Sequence, residues 1–234
     1  MKKIILIIVL AVITLSCIVY GINRNLGDVK EIVHADFDAA KDETSDANSI
    51  NQSFSGISEI EINAAIMELK LEEGPSFNVS GTFDRAYLKP EVNVKNGTLQ
   101  VNQKGKKRTM GPGTRKCKVV VTIPRDASLN AVYINSNVGD IKLRDFTART
   151  VGINLNVGEI DVKKVAFENF SCSNNVGKVS VDPEDSIDDY GITASTDVGD
   201  VRVDGHSYKR SYNQRGSSSK TIKVNTNVGE VNIR

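Results

Sequence analysis

Asn137-Val138-Gly139-Asp140-Ile141 decides the fold, because the phrase returns as Asn156-Val157-Gly158-Glu159-Ile160, Asn175-Val176-Gly177-Lys178-Val179, Asp197-Val198-Gly199-Asp200-Val201 and Asn227-Val228-Gly229-Glu230-Val231. The glycines stand 19, 19, 22 and 30 residues apart. A recurring period of about 20 residues is the signature of a stacked repeat array. With glycine at zero, apolar residues recur at −7 (Val132, Val151, Phe170, Ile192, Ile222) and −5 (Ile134, Ile153, Cys172, Ala194, Val224). They recur again at +2 (Ile141, Ile160, Val179, Val201, Val231) and +4 (Leu143, Val162, Val181, Val203, Ile233), and −1 is valine in every copy. Alternation on both sides of the glycine predicts two short strands that meet at a corner, each with one buried face. One such unit cannot cover its own face, but units stacked column on column can. The expected fold is all-β: a single-handed β-solenoid of stacked short strands with Asn-Val-Gly-Asp/Glu corners.

The corner residues follow from backbone physics. Gly139, Gly158, Gly177, Gly199 and Gly229 are expected to supply a positive φ or to permit close backbone approach. Asn137, Asn156, Asn175, Asp197 and Asn227 stand at −2, where short amide and carboxylate side chains bond nearby backbone at a turn. Stacked amides can also bond from one coil to the next. The +1 column is Asp140, Glu159, Lys178, Asp200 and Glu230, in which Lys178 relieves repulsion between acidic neighbours. A calcium column is weighed against a solvated row. The calcium-binding nonapeptide needs adjacent glycines and an aspartate two residues beyond a third; this phrase has neither, so no metal site is expected.

The chain begins with Met1-Lys2-Lys3 and an apolar run from Ile4 to Ile22, 19 residues in which Thr14, Ser16 and Gly21 are the soft interruptions. Such a run can span a bilayer, and the lysines ahead of it favour a cytoplasmic N-terminus. Residues 1–22 are therefore expected to be a transmembrane helix or signal segment, with the remainder outside the cytoplasm. Anchoring as a lipoprotein at Cys17 and ordinary secretion are the alternatives; Thr14-Leu15-Ser16 matches a lipobox only in part. Residues 23–53 read as an acidic flexible linker and 54–234 as the repeat domain. Within that domain Met67 stands where a divergent first coil would carry its glycine. Phe77 to Val79 and Tyr87 to Val94 read as strands, and Asn96-Gly97 suits a type I′ hairpin turn.

Two loops stand out. Gln103 to Lys116 carries Lys104, Lys106, Lys107 and Arg108, read either as a contact for anionic headgroups or acidic wall polymer or as a basic hairpin end. His206 to Gly216 reads either as a ligand loop or as a hairpin that caps the array. The strand that ends at Arg234 is expected to close the stack, with its edge covered by that insert or by a partner, including a second copy.

From Phe54 to Arg234 the layout resembles the DUF4097 family, which carries the provisional label adhesin and is related to toastrack domains of bacterial envelope proteins. The residues that carry the resemblance are Ile57 to Ile62, the Asn96-Gly97-Thr98-Leu99 hairpin, Val119 to Pro124 and the five Val-Gly phrases. The resemblance implies a β-solenoid in a bacterial, Gram-positive envelope setting and implies no agreed activity.

Composition narrows the function. Thirty basic and 29 acidic residues give a net charge of +1, which offers no general argument for nucleic acid. Tryptophan is absent, so stacking platforms for bases or sugars are not expected. Cys117 and Cys172 read as small buried hydrophobes. The two histidines are His34, in the linker, and His206, in the insert. No triad, metal-ligand spacing or nucleotide loop accompanies them, so no catalytic residue and no cofactor is expected. The expectation is a membrane-tethered, extracytoplasmic interaction module, related to envelope stress as a scaffold or sensor and partnered by an envelope protein or cell-wall polymer. A surface adhesin is the alternative. A flexible linker of about 30 residues reaches roughly 30 Å, which keeps the domain near the membrane and favours the first reading.

Overall fold

The computed structural model describes residues 48–103 and 116–234. The expected membrane segment, the linker up to residue 47 and the basic residues Lys104, Lys106, Lys107 and Arg108 lie outside the described residues. Among the described residues no helix is long and apolar enough to cross a membrane.

The fold is all-β. In chain order the strands are β1 (Asn48–Phe54), β2 (Glu59–Ile66), β3 (Glu68–Gly74), β4 (Phe77–Phe83), β5 (Glu91–Lys95), β6 (Thr98–Asn102), β7 (Cys117–Pro124), β8 (Ser128–Val138) and β9 (Ile141–Val157). They continue as β10 (Ile160–Ala166), β11 (Asn169–Val176), β12 (Val179–Pro183), β13 (Tyr190–Val198), β14 (Val201–Val203), β15 (His206–Tyr208), β16 (Ser211–Gln214), β17 (Lys220–Val228) and β18 (Val231–Ile233).

Two ladders result, joined at the glycine corners. The first runs β5, β6, β2, β8, the second half of β9, β11, β17, β13, β16. The second runs β1, β4, β7, β3, the first half of β9, β10, β12, β18, β14, β15. Inner strands pair in parallel, with a one-residue slip past Lys163 where β10 meets β12, and the core columns stay aligned: Ile60, Val132, Val151, Phe170, Ile222 and Ile192 stack in one row, and Leu69, Ile141, Ile160, Val179, Val231 and Val201 in another. All are buried. Each aliphatic side chain so buried stabilises the fold by about 1.5–3 kcal/mol, which explains why the −7, −5, +2 and +4 columns are apolar.

Stacking order departs from chain order. β17 pairs with β11 on one side and β13 on the other, and β18 sits between β12 and β14. The coil of the fifth phrase thus lies between the third and the fourth. This corrects the expectation that the strand ending at Arg234 closes the stack. The spacing accounts for it: from Gly177 to Gly199 the chain has 22 residues where the preceding coil has 19. The extra length, around the single turn Ile187–Asp189, lets the chain step over one level, which β17 and β18 then fill. The end of the array is the fourth coil. The insert covers it, with β15 antiparallel to β14 and β16 antiparallel to β13. Of the two readings of that insert, the structure places it as a cap.

The opposite end is built differently. β6 and β7 lie parallel to β2 and β3, and the chain leaves their corner at Gln103 and returns at Lys116. Antiparallel β5 and β4 lie outside them, and β1 lies outside β4. Residues 48–53, which read as linker, are thus strand. Their composition is polar because β1 sits at an edge, where Ile50 is the residue turned into the core. Tyr87 belongs to a single turn, Ala86–Leu88, and the strand expected from it starts at Glu91. Asn96 and Gly97 both have positive φ, 51° and 78°, as a type I′ turn requires.

Candidate functional site

The corner column sets the register of everything on the surface. Gly139, Gly158, Gly177, Gly199 and Gly229 have φ between 137° and 143°. A Cβ on Gly158 would overlap the Gly139 carbonyl oxygen, one on Gly177 that of Gly158, one on Gly229 that of Gly177, and one on Gly199 that of Gly229. Glycine is thus required by both conformation and contact. Backbone bonds continue through the bend, with Gly158 N donating to Val176 O at 3.0 Å and Ile160 N to Lys178 O at 2.8 Å. Met67 holds the glycine position of the first coil, its N–H donating to Val138 O at 3.0 Å. Its side chain is buried.

The chain turns outward one residue earlier than simple alternation implies. Position −3 faces inward and carries Ser136, Leu155, Asn174, Thr226 and Thr196, all buried. Both −2 and −1 face outward. Val138, Val157, Val176, Val228 and Val198 therefore form an exposed aliphatic ridge, 41 to 59% exposed. The inward polar groups serve the corner: Asn174 Nδ2 donates to Gly158 O at 3.2 Å and Thr196 Oγ1 to Gly229 O at 3.1 Å.

Two amide ladders run along the outer surface beside this ridge. At −2, Asn156 Nδ2 donates to Asn137 Oδ1 at 2.8 Å, Asn175 to Asn156 at 2.8 Å, and Asn227 to Asn175 at 3.2 Å. Asp197 stands beyond Asn227 at the capped end. At −4, Asn154 donates to Asn135 at 2.9 Å, Asn135 to Asn63 at 3.1 Å, and Asn63 to Asn102 at 3.0 Å. This second ladder was not anticipated. Its signal is nonetheless present at −4, as Asn135, Asn154, Ser173, Ser195 and Asn225.

Between the ladders lies an open groove of about 370 Å³, lined by Asn63, Ala64, Ala65, Gln103, Asn135, Ser136, Asn137, Asn154 and Asn156. It exists because Ala65 occupies the −2 position of the first coil, where four of the later coils carry an amide and one, at Asp197, a carboxylate. Gln103 closes the ladder gap beneath: its Oε1 accepts from Ala65 N at 3.0 Å and Ile66 N at 2.8 Å, and its Nε2 donates to Leu88 O at 2.7 Å. Along β8, Tyr133 is exposed on the same face as Asn135 and Asn137. Its ring lies against Gly152, where an added Cβ would come within 2.9 Å of Tyr133 Cδ1.

The surface of the second ladder is charged instead. Asp140, Lys142, Glu159, Asp161, Lys163, Lys178 and Arg234 line a second groove of about 330 Å³. Three of these groups are held in ion pairs, two of them with residues outside the lining. Arg144 bonds Asp161, Lys163 Nζ lies 3.8 Å from Asp161, and Lys178 Nζ lies 3.8 Å from Glu230. Lys178 thus sits between Glu159 and Glu230 in space.

The thiols of the described residues are withdrawn from both surfaces. Cys117 and Cys172 are free and buried. Burial, followed by the charge of Asp84, pushes the Cys117 thiol up to about 11, and burial pushes Cys172 up to about 12. Neither forms thiolate at neutral pH. His206 is exposed in the cap, where Nδ1 lies 2.9 Å from Asp204 O.

Residues 57–186 match the toastrack DUF4097 family. No curated protein matches the chain. Among solved structures, a candidate cell adhesion protein from Clostridium sporogenes superimposes with a TM-score of 0.64 at 18% identity, over 80% of this chain and 99% of that one. A candidate adhesin from Bacteroides fragilis superimposes with a TM-score of 0.43 at 11% identity, over 81% and 97% of the two chains. The first likeness bears on fold alone.

Proposed function

This chain belongs to the toastrack DUF4097 family, and on that premise we propose that it is a non-catalytic interaction module of the bacterial cell envelope, tethered at the membrane by residues 1–22 and acting as an envelope-stress scaffold or sensor. The observation that carries this reading is the division of chemistry between core and surface. The thiols of the described residues are buried, the charged groove holds several of its groups in ion pairs, and the outer face carries two ladders of neutral amides on a stacked scaffold. Such a surface suits recognition of an extended partner and offers nothing to activate a nucleophile. Lys104, Lys106, Lys107 and Arg108, in the segment between β6 and β7, add a basic contact for anionic lipid or acidic polymer.

Adhesion to an external ligand is the second reading, favoured by the openness of the amide face. Proximity labelling in the native host, with the labelling enzyme fused after Arg234, separates the two. Enrichment of a sensor kinase or another membrane-embedded stress component is expected from the first. Enrichment of wall or surface proteins alone moves the assignment to adhesion, and enrichment of cytoplasmic proteins alone defeats both.

A further inference from the structure

The −2 amide ladder is unfinished at its groove end. Asn137 Oδ1 accepts from Asn156, while among the described residues nothing accepts from Asn137 Nδ2. The next level down presents the methyl group of Ala65 in place of an amide, and the groove opens there. An interrupted ladder presents a polar edge shaped for one more amide, at the strand spacing of about 4.8 Å. We infer that the groove between Ala65 and Asn137 binds the acetamido group of a neutral N-acetylated glycan, which continues the ladder where the protein stops.

Three features select that chemistry. Every described residue lining the groove is uncharged, and the carboxylate of Glu61, opposite Tyr133, already accepts from Asn63 Nδ2 at 3.0 Å and Gln100 Nε2 at 3.3 Å. A carboxylate or ammonium group entering it would give up hydration without gaining a counter-charge. A secondary amide offers a carbonyl and an N–H together, so it complements a ladder end in either sense. Tyr133 lies on the same strand and face, about 13 Å from Asn137 at strand rise, with 48% of its surface exposed. Gly152 lets the ring lie against the sheet, so that its face is offered as a platform. A sugar chain supplies what this pairing asks for, a flat ring to lie on Tyr133 and an acetamido group to reach Asn137. A peptide amide would answer only the second. The composition, with tryptophan absent, gave no expectation of a sugar platform; it is Tyr133 that supplies one. The inference deepens the reading of the amide face as the interaction surface and rests on it.

The test uses the purified full chain in detergent, titrated with tri-N-acetylchitotriose, with its fully deacetylated counterpart and with a blocked dipeptide amide, followed by calorimetry. The acetylated trisaccharide should bind and the deacetylated one should bind at least about tenfold more weakly, a difference of about 1.4 kcal/mol. Ala65→Asn, which lets the protein complete its own ladder, should abolish binding while the melting temperature holds or rises. Asn137→Ala and Tyr133→Ala should each weaken it. No binding of the trisaccharide at millimolar concentration overturns the inference. So does equal binding of the deacetylated form, unchanged binding by Ala65→Asn, or tighter binding of the dipeptide amide. Envelope neighbours found by proximity labelling would stand through any of those failures, so the two proposals fail separately.

Discussion

Gly158 shows how little room the corner leaves. Gly158→Val places a branched side chain at φ 143° and drives its Cβ into the Gly139 carbonyl. Losses from backbone strain and forced overlap combine here, and the expected cost is roughly 3–5 kcal/mol. Gly56 also has positive φ, 68°, but nothing lies within 4 Å of an added Cβ. Gly56→Ala should therefore cost only about 1 kcal/mol. Chemical denaturation of both variants checks the contrast, and equal losses would refute the stacked-corner account. Asp185 offers a pH-dependent counterpart. The hydrogen bond from Lys220 Nζ at 2.8 Å holds its carboxyl below the usual range, aided by the Tyr190 hydroxyl at 3.0 Å. A lowered folded pKa means stability that is present above the ordinary aspartate value of about 3.9 and lost as pH falls through the folded value. Asp185→Asn should cost about 1 kcal/mol at pH 7, modest because the pair is partly solvated. Its deficit against the parent should close below about pH 4. Urea titrations at pH 7 and pH 3 read this directly. At this scale the apolar columns were readable because burial repeats at the same offsets. The −1 valines were not: identical residues in every copy look like core, but the bend places two successive side chains outside.

Hydrogen-bond supply decides stability at the level of strands and turns. Beside β6, two backbone N–H groups of the first coil, those of Ala65 and Ile66, are met by a side chain, and Gln103 Oε1 accepts from both. Gln103→Leu keeps the volume and strands those donors, with an expected loss of about 2–4 kcal/mol. Hydrogen exchange checks it: protection of Ala65 and Ile66 should fall first. Had Gln103→Leu left both amides protected, another acceptor would have to serve them. The contact could not be read from sequence, because Gln103 adjoins the basic segment and is separated by 38 residues from Ala65. Hairpins are the reverse case. Asn96-Gly97 announced its turn, and Asp204-Gly205, with φ of 49° and 72°, carries the same two-residue signal. It joins β14 to β15 and marks the start of the cap, so the capping role was readable at Val203-Asp204-Gly205-His206 even though the insert as a whole looked ambiguous.

Across the whole molecule, the order of coils is what sequence periodicity could not convey. A repeat specifies that a coil belongs in the stack and which face it buries, but every coil offers the same two edges to its neighbours. The spacings of 22 and 30 residues record that something intervenes; only the pairing of β17 with both β11 and β13 shows where the fifth coil goes. In a stack laid down in chain order, removing residues 220–234 would shorten one end. Here it removes an interior level and leaves the buried rows of Phe170, Cys172, Ile192 and Ala194 facing a gap two strand spacings wide. The truncated chain is expected to lose cooperative unfolding altogether, as judged by calorimetry. A truncated form that melts cooperatively within a few degrees of the parent would contradict this placement.

The doubling back of the last coil bears on how such a protein can change over generations. An array laid down in order can lengthen by tandem duplication at its end, one coil at a time. In this chain a duplicated final unit would arrive between two levels that are already in contact, with no vacant edge to receive it. Growth by copying that coil is thereby hindered, while the outward columns already carry an amide, a serine or an alanine at equivalent positions over the same stack.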